Sequence, residues 1–277
     1  MILFVQCLIA GEKTEETVIK KQMVFHGSSG RNLLIIKNFR GDIKVTGHSK
    51  HTVDVKVKKT VWARSPEQFA QALKDVILDI SEEENLIEFY VDGPFRDRNR
   101  RNQWHSGRYQ VNYAFEVYVH FETDLELETV NDGDIRINQV HGVCAANNVN
   151  GGIEAGGIYE AGKIYALNED VSVQFEKNPT QNCVVGSLNG DVRLVFQPGL
   201  SADFVIETFN GEAYSDFKTT RLQTEPYFKE KKNQKNYYKT GHKDRIRIGR
   251  GGPEIYWQGF NGDLLILDRS NRKNKKL

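Results

Sequence analysis

Five carboxylates recur beside a turn: Asp134, Asp170, Asp191, Glu212 and Asp263. Two carboxylates held roughly 5–10 Å apart are the machinery of glycoside cleavage, one as acid and the other as base or nucleophile. An acid beside Gly is also ordinary turn chemistry. Repetition at every turn speaks for the turn, because an active site is a singular departure from a repeat. A second acidic run, Glu122-x-Asp124-x-Glu126-x-Glu128, offers the oxygen ligands that Ca²⁺ takes. It reads equally as one solvated face of a strand, relieved by a neighbour carrying Lys56 and Lys58. His48 and His51 have no third ligand close by in sequence and read as a solvated loop. There is no Gly-rich phosphate loop between strand and helix, no Gly-x-Ser-x-Gly and no zinc spacing. No catalytic residue, metal ligand or cofactor is assigned.

Positive charge is concentrated instead. Residues 93–108 carry five arginines against Asp97, a net +4; residues 218–250 carry +8 and residues 269–276 carry +5. The whole 277-residue chain is only +1, so the remainder is −16. Such segregation on loops attracts polyanions without altering a core. Arg96, Arg98, Arg100, Arg101, Lys231, Lys232 and Lys235 are therefore the candidate ligand-binding residues. Trp104, Tyr237 and Tyr238 supply rings that can stack on sugar or base. The partners this implies are an anionic envelope polysaccharide or another envelope protein; an exported chain is not expected to meet nucleic acid. The plainer alternative is that these loops only keep the surface solvated.

The elements that must position these residues repeat. The phrase apolar–Asn–Gly–acid–apolar–x–apolar appears at Val149-Asn150-Gly151, Leu167-Asn168-Glu169, Leu188-Asn189-Gly190 and Phe209-Asn210-Gly211. Variants stand at Asp132-Gly133, Phe39-Arg40-Gly41 and Phe260-Asn261-Gly262. Positions 133, 151, 169, 190 and 211 are 18, 18, 21 and 21 residues apart. Two and four residues after each come apolar side chains such as Ile135 and Ile137 or Val171 and Val173, the alternation of half-buried strands. Val149, Leu167, Leu188 and Phe209, two residues before, are also expected to face inward. Asn-Gly tolerates left-handed backbone and turns the chain sharply. A fixed period near 20 residues predicts an all-β chain: a β-solenoid of stacked 18–21-residue coils, with one short helix and two basic loop insertions. Asn150, Asn168, Asn189 and Asn210 would form a ladder along one corner. The rival is a set of ordinary hairpins in a meander or sandwich.

Residues 12–130 form the β region leading into this repeat, which spans 131–267; residues 268–277 are a basic tail. Within the first region, Ser65-Pro66-Glu67 opens a helix near 66–74, with Ser65 as N-cap and Pro66 at its first position. Residues 1–11 begin with an apolar, uncharged run and read as a signal peptide, short and without the basic leading residues of a complete one, implying export to periplasm or cell surface. No run reaches the ~20 apolar residues that span a bilayer. Cys144 and Cys183 each lie seven residues before a turn position, two coils apart. At ~4.8 Å per layer they stand ~10 Å apart, beyond disulfide reach.

These turn phrases, together with Ala63-Arg64-Ser65-Pro66-Glu67 and Val91-Asp92-Gly93-Pro94-Phe95, resemble the bacterial β-strand repeats of the putative-adhesin family, a domain of unknown function, in its Bacteroidetes form. The resemblance covers residues 33–267. It implies a β-solenoid of the cell envelope and supplies no catalytic motif. Glu169 in place of the turn Gly and Asp132 in place of the turn Asn depart from the pattern, as do the two enlarged basic loops. The expected function is a non-enzymatic, exported, adhesin-like scaffold that binds a surface polymer or protein. The alternatives are a polysaccharide-active solenoid enzyme and a regulatory or assembly module of the envelope.

Overall fold

The computed structural model describes residues 5–9, 12–27, 29–96, 108–222, 231–232, 235–236 and 242–274. In chain order the first elements are β1 (Val5–Ile9), β2 (Glu12–Val24), β3 (Leu33–Lys37), β4 (Ile43–His48), β5 (Thr52–Ala63), α1 (Pro66–Asp75), β6 (Ile77–Glu82) and β7 (Leu86–Asp92). Next come β8 (Tyr109–His120), β9 (Asp124–Thr129), β10 (Ile135–Asn138), β11 (Val143–Asn148), β12 (Ile153–Ile158), β13 (Glu160–Ala166), β14 (Val171–Phe175), β15 (Cys183–Ser187) and β16 (Val192–Phe196). The last are β17 (Ala202–Thr208), β18 (Ala213–Ser215), β19 (Thr219–Arg221), β20 (Lys231–Lys232), β21 (Lys235–Asn236), β22 (His242–Ile248), β23 (Glu254–Gly259) and β24 (Leu264–Asp268).

The chain is all-β apart from α1 and a terminal 3₁₀ turn, and it builds two large mixed sheets. The first runs β1-β2-β5-β8-β4-β10-β12-β14-β16-β24-β18, the second β19-β22-β17-β23-β15-β13-β11-β9-β3-β7-β6. Each turn phrase carries the chain from the second sheet to the first. The middle strands pair in parallel, with Ile43, Ile135, Ile153, Val171, Val192, Leu264 and Ala213 in one register column. All of that column except Ala213 is buried, as the alternation requires. The antiparallel end, β2-β5-β8, is longer stranded and packs α1 against its inner face through Phe69 and Ala72. The helix begins as its sequence dictates: Ser65 Oγ accepts from Gln68 N at 3.3 Å, with Pro66 at the first position.

Several expectations change. The phrase at Gly262, last in the chain and so expected to form the last coil, is not the last layer: β24 lies between β16 and β18, so the final segment of chain inserts between two earlier ones. The odd-numbered apolar positions from Tyr109 to Leu127, which read in the sequence as one long strand, are two strands in different sheets, broken at residues 121–123. Val149, Leu167 and Leu188 sit half-buried at the corner and Phe209 is exposed. The inward position is one residue earlier; before Leu167 it is the apolar Ala166, but at other turns it is polar, with Asn38, Asn148 and Ser187 fully buried. Their role is backbone satisfaction, since a turn sealed between layers has carbonyls that water does not reach. Asn148 Nδ2 donates to the carbonyls of Gly133 (2.9 Å) and Gly152 (3.1 Å), and Ser187 Oγ to that of Glu169 (2.8 Å).

Gly41 (φ 110) and Gly262 (φ 117) use the positive φ that the sequence suggests, but at the other turns glycine is needed for a different reason. Gly133, Gly151, Gly190 and Gly211 do not have positive φ. A Cβ on Gly151 would lie 2.0 Å from the Gly133 carbonyl oxygen, and one on Gly211 1.9 Å from that of Gly262. The layers approach too closely there for any side chain. Glu169 keeps its backbone outside the left-handed region and its carbonyl in the Ser187 bond, so that turn survives. Asp132 (φ 48) is an extra residue in its turn, and Asn131 takes the asparagine position.

Residues 5–9, within the stretch read as a signal peptide, pair antiparallel with Glu12–Glu16 as an edge strand. Among the described residues no helix is long and apolar enough to cross a membrane.

Candidate binding site at the open end

The repeated acids come first, because the sequence left catalysis open for them. All but Glu212 hold a backbone N–H of the next layer, and Asp42 does the same. Asp42 accepts from Asp134 N (2.9 Å), Asp134 from Gly152 N (3.1 Å) and Asp170 from Asp191 N (2.8 Å). Asp191 accepts from Asp263 N (2.8 Å) and Asp263 from Glu212 N (2.9 Å). Beside them runs an asparagine ladder. Asn150 donates to Asn131, Asn168 to Asn150, Asn189 to Asn168, Asn261 to Asn189 and Asn210 to Asn261, all within 2.8–3.0 Å. These two columns tie layers together.

The acidic run does not converge on an ion. Asp124 pairs with Arg31 (3.1 Å), Glu126 with Lys37 (3.7 Å) and Glu128 with Arg96 (3.4 Å). Lys56 and Lys58, expected to face this run, pair instead with Glu116 and Glu16. At the opposite corner His51 stacks on His120 (4.5 Å), and Phe121, His141 and Tyr159 form a second stack ending under Lys177. Among the described residues no group of three or more His, Cys, Asp or Glu could hold a metal ion.

Of the seven basic candidates, Arg96 has a described side chain, and it is turned inward. Its guanidinium donates to the carbonyls of Lys37, Asn38 and Val91 at 3.1–3.3 Å and lies over the Tyr90 ring. Lys231 and Lys232 pair with Asn236 and Lys235 in the small β20–β21 hairpin. Arg98, Arg100 and Arg101, with Trp104, Tyr237 and Tyr238, lie outside the described residues.

What stands out is an offset between the sheets. The turn phrases join β17 to β18, β23 to β24 and β15 to β16, so those pairs share layers. Among the described residues the first sheet ends at β18, whereas the second continues through β22 and β19. At the other end it is the first sheet that overhangs, through β2 and β1, and α1 packs on β2, β5 and β8 there. The β22–β19 overhang borders a cavity of about 650 Å³. That size is ordinary for a ligand site. Its lining includes Ile206, Ile246 and Ile266, and its last inward positions on the first sheet are Ala213 and Ser215, where β24 carries Leu264 and Ile266. All three residues of β18 and of β19 are exposed.

The rim is aromatic and charged. Phe209 stacks on Phe260 at 5.0 Å and is 55% exposed; Tyr214 is 49% exposed. Tyr214 donates to Glu212 Oε2 at 2.6 Å, and that bond to a carboxylate raises the tyrosine pKa. Arg221 and Asp244 pair at 2.6 Å, which raises the guanidinium pKa further. The sequence reading missed this site. Its signal was present: the inward column falls from Val, Leu and Ile to Ala213 and Ser215 just where Phe209 replaces Val and Leu before the turn.

No family model matches the chain, and no curated protein does. Among solved structures it is similar to a putative cell adhesion protein from Clostridium sporogenes, at 9% identity and a TM-score of 0.45, covering 91% of this chain and 100% of that one. It is also similar to a putative adhesin from Bacteroides fragilis, at 10% identity and a TM-score of 0.37, covering 91% and 96%. A third similar structure is a putative lipid binding protein from Parabacteroides distasonis, at 9% identity and a TM-score of 0.29, covering 91% and 94%.

Proposed function

We propose that this chain is a non-enzymatic binding scaffold of the cell envelope, built as a β-solenoid, whose ligand seats at the open end of the stack. The solenoid reading is supported by strands of successive turn phrases pairing in parallel at steps of 18 and 21 residues. The observation that carries the functional reading is the fate of the acids. Asp134, Asp170, Asp191 and Asp263 are committed to backbone N–H groups of neighbouring layers, so the repeat supplies cohesion rather than acid–base chemistry. The singular departure from the repeat is the cavity beyond β18. Export and a division at residue 130 remain part of the proposal, as does a contribution from Arg98, Arg100, Arg101, Lys231, Lys232 and Lys235 to an anionic polymer or protein partner.

The test uses the whole chain immobilised and challenged with purified envelope polysaccharide and envelope protein fractions. Ala213→Trp fills the cavity from an exposed position and is expected to abolish retention. Reversing Arg98, Arg100 and Arg101 to Glu is expected to weaken retention and flatten its salt dependence. Equal retention by all three proteins, or new reducing ends released from the polysaccharide, would count against this reading.

A further inference from the structure

We propose that the open end takes up an extended segment of a partner polypeptide as the next strand of the first sheet, apolar on its inward positions and basic on its outward ones. This rests on the open end being the binding site and names what binds there.

Three observations carry it. First, the sheets are out of step: among the described residues β22 and β19 have no counterpart on the first sheet, and the cavity lies at that place. At the other overhang α1 covers the inner face in cis. Second, β18 is the last strand of the first sheet among the described residues, and its outer edge is unpaired there. Leu264 N donates to Glu212 O and Asp216 N to Ile266 O, so the ladder on its inner side uses the residues flanking Ala213 and Ser215. The alternation of a parallel ladder then turns the amides of Ala213 and Ser215 outward, where a further strand would meet them. The asparagine ladder ends at the same edge, with Asn210 Oδ1 accepting no bond among the described residues while every earlier ladder oxygen accepts one. Third, charge selects the guest. Outward positions beside the edge are Glu212, Tyr214 and Asp216, and neither β18 nor β24 carries a basic residue. Inward, small Ala213 and Ser215 face a lining that includes Ile206 and Ile246, which asks for apolar side chains. A second copy of this chain fits worse: antiparallel pairing of β18 with itself about Tyr214 sets Glu212 against a second Asp216, and like charges directly opposite are destabilising.

The experiment measures fluorescence anisotropy of labelled ten-residue peptides with the full chain. The probes are a Val/Lys alternation, a Val/Glu alternation and the Val/Lys peptide N-methylated at alternate residues. The Val/Lys peptide is expected to bind one per chain, weakening with salt, with Val/Glu about tenfold weaker or more. N-methylation is expected to remove binding, because it caps the peptide's own edge donors. Ala213→Pro removes an outward donor at an edge that tolerates proline; it is expected to lose the peptide with an unchanged thermal midpoint. Glu212→Lys is expected to shift preference toward Val/Glu. Equal binding of both peptides, binding that survives Ala213→Pro, or self-association through this end with no peptide uptake would each overturn the inference. If no peptide binds while Ala213→Trp still abolishes retention of an envelope fraction, strand addition fails and the open-end site stands. If Ala213→Trp changes nothing, the site itself fails.

Discussion

The side-chain amide of Asn261 donates to Asn189 Oδ1 at 3.0 Å across 72 residues of sequence, and its own oxygen accepts from Asn210. Asn261 is thus the middle rung between two residues that both precede it in the chain.

Asn261→Ala removes two of these bonds and Asn210→Ala one. At the usual net worth of such a bond, the first should cost about 1–2 kcal/mol and the second about half of that. Equal shifts in urea midpoint would show that the ladder is not cohesive.

The same insertion makes two earlier strands depend on a later one. Ending the chain at Arg250 removes β24, on which β16 and β18 pair, and β23, which lies between β15 and β17. Hydrogen exchange should then accelerate across Val192–Phe196 and Ala202–Thr208, while Ile135–Asn138 keeps its protection. Unchanged exchange in all three segments would contradict the strand order.

Gly151 and Gly152 are adjacent but not equivalent. A methyl on Gly151 lies 2.0 Å from a neighbouring carbonyl oxygen, whereas on Gly152 the nearest atom is 3.3 Å away. Gly151→Ala should destabilise by about 2–4 kcal/mol and Gly152→Ala by at most about 1 kcal/mol, read from denaturant unfolding.

Cys144 and Cys183 are free and buried, in strands separated by β13. Burial pushes both thiols up, Cys183 to about 12. Neither should alkylate at pH 8 in the native state, and both should once the chain is unfolded without reductant. A mass showing them linked would contradict this arrangement.

His120 is held below the usual histidine range, first by burial and then by the nearby His51, with Glu122 opposing. Its folded pKa is depressed, so the unfolded chain binds the proton more readily. Its contribution to stability is therefore complete above about pH 6.5 and is lost as pH falls from there through the lower folded value. Thermal midpoints should decline over that window, and His120→Gln should flatten the decline.

Much of the strand pairing was legible. The columns Ile135/Ile137, Ile153/Ala155, Val171/Val173 and Val192/Leu194 were readable because alternation at fixed offsets leaves one face for the core, and all eight are buried. The asparagine ladder was readable for a related reason, one residue type at one offset. Layer order was not, because the offset places Gly262 in the repeat without saying between which neighbours it docks. Nor was the polar column at Asn38, Asn148 and Ser187: binary patterning treats a polar residue as outward, whereas these are inward because the turn carbonyls around them need donors. The cavity was hidden in the same way. Ala213 and Ser215 match the column in offset, and only their small size marks a layer without a neighbour.

The late docking of β24 also limits how such a molecule can change its length. From Gly133 to Gly190, order along the chain and order along the stack coincide, so tandem duplication of an 18- or 21-residue unit there would add a layer and leave its flanks paired as before. Between Gly190 and Gly211 no such growth is open. A copied unit in that interval would compete with the C-terminal strands for the place they fill, and gene-level lengthening would be selected against at the one point where the sequence spacing alone looks most permissive.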